Sequence, residues 1–150
     1  MIMTDVIFSS WQSEVKDNRE VGAEAKTPVN IKLLEEFSPG ERIKAFIGWD
    51  GIVLRDDDVD IVDMIASYAQ AVQSESCGKC FPCRVGTKIV SDMLNRIASG
   101  EGKQEDIPKI KKLAVSISEG SKCSIGQTGM VPILHALEHF PKAFSDAITN

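Results

Sequence analysis

From Asp57 to the C-terminus, apolar residues recur at intervals of three and four, the period of a helix with one buried face. Asp57 or Asp58 can cap a first helix carrying Ile61, Ile65, Tyr68 or Ala69, and Val72, ending near Ser74. A second begins near Cys83 or Val85, carries Ile89, Val90, Met93, Leu94 and Ile97, and stops at Gly100. A third starts at Asp106, tolerates Pro108 in its first turn, carries Ile107, Ile110, Leu113, Ala114 and Ile117, and stops at Gly120. A fourth starts near Gly129, with Pro132 in its first turn, and carries Val131, Ile133, Leu134, Leu137 and Phe140. Pro141 kinks or breaks it before a last turn or two through Phe144 and Ile148. Four amphipathic helices with short connections predict a mainly α, up-and-down four-helix bundle over residues 57–150.

Ahead of Asp57 the period is different. Val29-Asn30-Ile31 alternates like a strand, and Leu33-Leu34 with Phe37 fits one helical turn, stopped at Ser38-Pro39-Gly40. Ile43 to Ile47 and Ile52-Val53-Leu54 are short β-type runs flanking the turn Gly48-Trp49-Asp50-Gly51, so residues 29–56 read as a small mixed segment with a β hairpin. Residues 1–28 carry little pattern. They are expected to form a flexible N-terminal arm, with Phe8 and Trp11 as anchors if it orders on a partner.

Composition narrows the class. In 150 residues, 43% hydrophobic and 26% charged, the chain has enough material for a core without disulfides. A formal net charge of −5 argues against a general nucleic-acid binder. No apolar run approaches the ~20 residues of a membrane span, and Met1-Ile2-Met3-Thr4-Asp5 lacks a basic signal-type start, so a cytoplasmic protein is expected. The acids Asp56, Asp57, Asp58, Asp60 and Asp63 suit the positive end of a helix better than a cation site.

The chemistry lies in four cysteines. Cys77, Cys80 and Cys83 form C-x2-C-x2-C, and Cys123 follows after 39 intervening residues, with no cysteine left over. In an up-and-down bundle the connections before the second helix and after the third lie at one end, so the topology alone would bring Cys123 to the other three. Four thiolates suit a cubane cluster, one per iron. They also suit structural zinc, although zinc sites usually pair two C-x2-C knuckles. A thioredoxin-like pair would follow a strand, which Cys77 and Cys80 do not. Gly78, Gly86 and Gly126 let backbone pass close to a cluster, and Lys79, Arg84, Lys88 and Lys122 place cations beside the thiols. His135 and His139 share a helix face without the H-E-x-x-H arrangement and read as structural or surface residues.

From about Ala45 to Phe144 the chain resembles the C-terminal iron–sulfur (4Fe–4S) domain of the NADH-binding flavoprotein subunit of respiratory complex I, shared with NAD-linked hydrogenases and formate dehydrogenases. The likeness is carried by Gly48-Trp49-Asp50-Gly51-Ile52-Val53, by Ser76-Cys77-Gly78-Lys79-Cys80-Phe81-Pro82-Cys83-Arg84-Val85-Gly86-Thr87, by Cys123-Ser124-Ile125-Gly126 with Pro132, and by His139-Phe140 before Phe144. The resemblance implies a helical domain holding one 4Fe–4S cluster through Cys77, Cys80, Cys83 and Cys123, with Gly78, Lys79, Arg84 and Gly86 around them. Only about 45 residues precede the matched part, and they contain no G-x-G-x-x-G and no P-loop, so no FMN or NAD site is expected here. Trp49 and Asp50 also depart from the small residues that the family favours in that turn. The implied role is a non-catalytic electron-transfer subunit, relaying electrons between an NAD(P)H-linked flavoprotein and another redox subunit of a larger oxidoreductase. The alternative is a docking module stabilised by zinc or by a redox-silent cluster.

Overall fold

The structure, a computed structural model, describes residues 2–3, 5–20, 29–30 and 43–149. The chain divides into two compact units, Met1–Val59 and Asp60–Asn150.

The first unit is a small antiparallel β structure. Strand β1 (Ile2–Met3) pairs with β4 (Val29–Asn30). Strands β2 (Phe8–Ser9), β3 (Lys16–Asp17), β5 (Ala45–Gly48) and β6 (Gly51–Leu54) form one sheet in the order β3-β2-β6-β5. The expected hairpin is present: Phe46 faces Val53, Ile47 faces Ile52, and Gly48 faces Gly51 across a turn made by Trp49 and Asp50. Gly51 has φ +140°, and a Cβ there would stand 2.5 Å from the Ser10 carbonyl oxygen, so only glycine fits this corner.

The expectation of a flexible arm is corrected over residues 5–20. Phe8 pairs with Leu54 on one side and Asp17 on the other, and its side chain is fully buried, which removes it as a partner anchor. Trp11 is half-buried against Phe46, with ring centroids 5.2 Å apart. The polar residues that suggested an arm serve the sheet instead. Ser10 Oγ accepts the Ile52 N–H at 3.0 Å, and buried Asn18 donates its side-chain N–H to the Val6 carbonyl at 3.1 Å. The hydrogen bonds offset the cost of taking these polar groups out of water. The expected features at residues 21–28, at Ile31, Leu33, Leu34 and Phe37, and at Ser38-Pro39-Gly40 lie outside the described residues.

The second unit is helical: α1 (Ile61–Glu75), α2 (Phe81–Ala98), α3 (Asp106–Gly120), α4 (Ser124–Gly129), α5 (Val131–His139) and α6 (Pro141–Thr149). The cap of α1 is Asp60 rather than Asp57 or Asp58, because its carboxylate accepts the Asp63 N–H at 3.0 Å. Helix α2 begins at Phe81, ahead of the expected start, with Pro82 in its first turn. The expected fourth helix is α5, broken at Pro141 from α6 as expected, and the short α4 ahead of it was not expected. Pro132 sits in the first turn of α5 and Pro141 opens α6, where a missing N–H is tolerated.

The buried faces follow the predicted spacing: Ile61, Ile65, Ala69 and Val72 on α1, Val90, Leu94 and Ile97 on α2, and Ile110, Ala114 and Ile117 on α3. Each Ile, Val or Leu among them contributes roughly 1.5–3 kcal/mol on leaving water. Ile89, expected among them, is exposed together with Phe81 and Val85. Helix α1 packs on α2, α2 on α3, α3 on α4 and α5, and α5 back on α1. Two glycines set the closeness of α2 and α3. A Cβ on Gly86 would stand 2.6 Å from Ile117 Cγ1, and one on Gly120 would stand 2.8 Å from Pro82 Cγ. No helix among the described residues is long and apolar enough to cross a membrane.

Candidate metal centre

The closeness of α2 and α3 brings the cysteines together. Helix α1 ends at Glu75, the chain turns through Ser76 to Cys80, and α2 then starts, with Cys80 at its N-cap and Cys83 in its first turn. At the far end of α3 the chain turns at Ser121, and Cys123 is the N-cap of α4. Because Gly120 lets the end of α3 lie against Pro82, the turn carrying Cys123 reaches the start of α2. One cavity is lined by Ser76, Cys77, Gly78, Cys80, Cys83, Ser121, Cys123 and Ile125. All four cysteines of the chain therefore meet there, each a free thiol. Their environments differ: Cys83 is buried at 6% exposure, Cys80 is half-buried, and Cys77 and Cys123 are exposed.

A polar frame holds the loop. Gly78 has φ +77°, a left-handed conformation that side chains disfavour. Its N–H donates to Ser76 Oγ at 3.4 Å, and its carbonyl accepts from the Arg84 guanidinium at 3.2 Å. The Arg84 guanidinium also lies over the Phe81 ring, 5.9 Å from its centroid. Ser76 Oγ is 3.3 Å from Cys83 Sγ. Buried Thr87 turns its hydroxyl back onto the Cys83 carbonyl and so fixes the first turn of α2. Gln127 holds the other side, donating its side-chain N–H to the Ser121 carbonyl at 3.0 Å.

The donor set and its surroundings suit a cluster of iron and sulfide. Four thiols ring a cavity, and a cubane takes one thiolate on each iron. Ser121, 7% exposed, contributes a buried hydroxyl with no hydrogen-bond partner among the described residues, a group that a sulfur acceptor in the cavity would satisfy. Among the described residues no three Cys, His, Asp or Glu side chains are arranged about a single ion position.

Several expected neighbours have other duties. Gly86, expected beside the cluster, is instead the seam against Ile117. Gly126 does lie at the site: a Cβ there would meet Ser121 Oγ at 2.2 Å and Cys83 Cβ at 3.5 Å. Arg84 acts on the loop as described, Lys79 and Lys122 are exposed, and Lys88 faces Asp92 at 3.5 Å. His135 and His139 are edge to face on α5, with centroids 6.4 Å apart. Burial, and then the neighbouring His139, lowers the His135 pKa from its ordinary value. Sequence reasoning passed over the hydroxyls of Ser76, Thr87 and Ser121. Ser76 and Thr87 flank the thiols within the motif and could have been weighed, whereas nothing in Gly120-Ser121-Lys122-Cys123 marks Ser121 as buried.

Comparison with known proteins agrees on this region. The family model of the NADH-ubiquinone oxidoreductase-F iron–sulfur binding region matches residues 63–147. The chain is 42% identical over 141 residues to the NADP(+)-dependent formate dehydrogenase subunit beta of Moorella thermoacetica, covering 94% of this chain and 19% of that protein. It is 39% identical over 149 residues to the NADPH-Fe(3+) oxidoreductase subunit beta of Geobacter sulfurreducens, covering 99% and 22%. Its fold is similar to part of an NAD+-reducing [NiFe]-hydrogenase crystal structure, with TM-score 0.60 and 26% identity over 63% of this chain and 17% of that one. The chain thus spans about a fifth of the length of these curated relatives.

Proposed function

Because the chain belongs to the NADH-ubiquinone oxidoreductase-F iron–sulfur binding family, whose cofactor is a 4Fe–4S cluster, we propose that it is a one-cluster electron-transfer module. Cys77, Cys80, Cys83 and Cys123 are its ligands. The module relays electrons between an NAD(P)H-linked flavoprotein and another redox subunit of a cytoplasmic oxidoreductase complex, and performs no bond chemistry itself. The observation that carries this reading is that the only four cysteines of the chain, one of them 40 positions from its nearest companion, line one cavity. The relatives named above, subunits of NADP(+)- and NADPH-linked enzymes, support the choice of partners.

When bound, the cluster supplies reversible one-electron acceptance and donation. The chain's own residues set how that is done. Cys77, Cys80, Cys83 and Cys123 would hold the cluster as thiolates. The Cys83 thiolate can then only accept, so the Ser76 hydroxyl donates to it, while the lone pairs of Ser76 take the Gly78 N–H. Cys80 at the N-cap of α2 and Cys83 in its first turn are fixed in place by that helix. Arg84 adds a cation and pins the loop. The helices holding these parts act as a four-helix bundle with the site at one end. The exposed Cys77 and Cys123 leave a side of the site open to a partner's cofactor.

The test is anaerobic purification, with iron, sulfide and zinc measured per chain and spectra taken before and after dithionite. About four irons, and a broad visible absorbance that bleaches on reduction, are expected. About one zinc per chain and no bleaching, persisting after reconstitution with iron and sulfide, would replace the relay by a structural docking module.

A further inference from the structure

We infer that Ser121 is a residue that tunes the reduction potential of this centre, its hydroxyl donating a hydrogen bond to sulfur in the cavity. The inference rests on the four-cysteine cluster reading above. Ser121 lies in the turn between α3 and α4, two residues ahead of Cys123, and is one of the residues that line the cysteine cavity. It is 7% exposed, and its Oγ is buried without a hydrogen-bond partner among the described residues. A buried hydroxyl left unpaired is destabilising, so a serine at this position needs an acceptor.

The surroundings narrow what that acceptor is. The Ser121 carbonyl accepts from Gln127, and the Ser121 N–H donates to the Ile117 carbonyl. The Ser121 side chain packs on Gly126, where an added Cβ would stand 2.2 Å from Ser121 Oγ and 3.5 Å from Cys83 Cβ. The glycine therefore leaves room for the hydroxyl beside Cys83. The remaining lining is cysteines, Ser76, Gly78 and Ile125, and Ser76 is engaged with Gly78 and Cys83. What the cavity offers a hydroxyl is sulfur, as a ligand thiolate or a cluster sulfide. Reduction adds negative charge, so the donor binds the reduced state more strongly and raises the potential. Ser76, already 3.3 Å from Cys83 Sγ, acts in the same sense.

The experiment is a redox titration of the reconstituted full chain, wild type against Ser121→Ala, followed by electron paramagnetic resonance with iron and sulfide measured on the same samples. Ser121→Ala is expected to keep its iron. At a fixed potential its ratio of reduced to oxidised cluster is expected to fall about tenfold, a shift of about 59 mV to more negative potential for one electron. Electron–nuclear double resonance on the reduced wild type should show an exchangeable proton coupling that Ser121→Ala lacks. An unchanged potential with iron retained overturns this inference and leaves the relay reading standing. Iron lost from Ser121→Ala alone would make Ser121 a structural support and also overturns it. Absence of iron from the wild type overturns both readings.

Discussion

The Ile117 side chain occupies the space that a Cβ on Gly86 would need, 2.6 Å from Ile117 Cγ1. This contact sets the distance between α2 and α3, and through it the approach of Cys123 to the cysteine loop. Gly86→Ala gains about 1 kcal/mol of helix propensity but overpacks the seam at a cost of about 1–3 kcal/mol. The expected outcome is a net destabilisation of up to about 2 kcal/mol in denaturant unfolding, with lower iron content per chain. In an Ile117→Ala background the sign should reverse, and Gly86→Ala should stabilise by about 1 kcal/mol. The same sign in both backgrounds would show that the contact does not govern the seam.

Cys123→Ser removes the ligand that comes from outside the loop. Its expected phenotype is loss of the bleachable visible absorbance, with helical circular dichroism retained, because Cys123 is exposed and no part of the apolar core. Cys83→Ser, at a buried site, should lose both absorbance and stability. A Cys123→Ser protein with full absorbance would remove Cys123 from the ligand set.

Arg84 holds the Gly78 carbonyl and covers Phe81, and both contacts are exposed. A hydrogen bond of this kind is worth about 0.5–1.5 kcal/mol. Arg84→Gln is therefore expected to speed iron removal by a chelator about 2- to 12-fold. Arg84→Lys keeps the charge without the planar fork and should fall between the two. Equal rates in all three proteins would show that the guanidinium does not restrain the loop.

The His135 pKa is lowered from the ordinary 6.5, first by burial and then by His139. The unfolded chain takes up this proton at a pH where the folded chain does not. Stability is therefore full above the ordinary value and is lost as pH falls from about 6.5 toward the folded value. The denaturation midpoint of the wild type should fall on acidification from about pH 7.5 to about pH 5.5 by more than that of His135→Gln. Equal slopes would exclude His135 as the source.

Much of this organisation was legible in the sequence because the helices are long and periodic. The spacing of Ile61, Ile65, Ala69 and Val72 marks a buried face without any knowledge of what covers it. The meeting of Cys123 with the loop followed from topology. What escaped notice depends on partners distant in sequence. Phe8 belongs to a two-residue strand, too short to alternate, and its partner Leu54 is 46 positions away. Gly86 looks like a loop-type glycine until Ile117 is placed against it, and Ser121 looks like a surface serine until Gly126 and Cys83 close around it. Short strands and single close contacts leave no period, so only the fold reveals them.

The seam between α2 and α3 also has a consequence in time. A ribosome extends a chain by about 5–20 residues per second. The first three thiols therefore emerge roughly 2–8 s before Cys123, given the 39 residues between Cys83 and Cys123. During that interval the nascent chain offers an open, three-cornered thiol site. The fourth corner arrives only when α3 has been made and has folded back along α2, so the Gly86–Ile117 contact also sets the earliest moment at which the site can close.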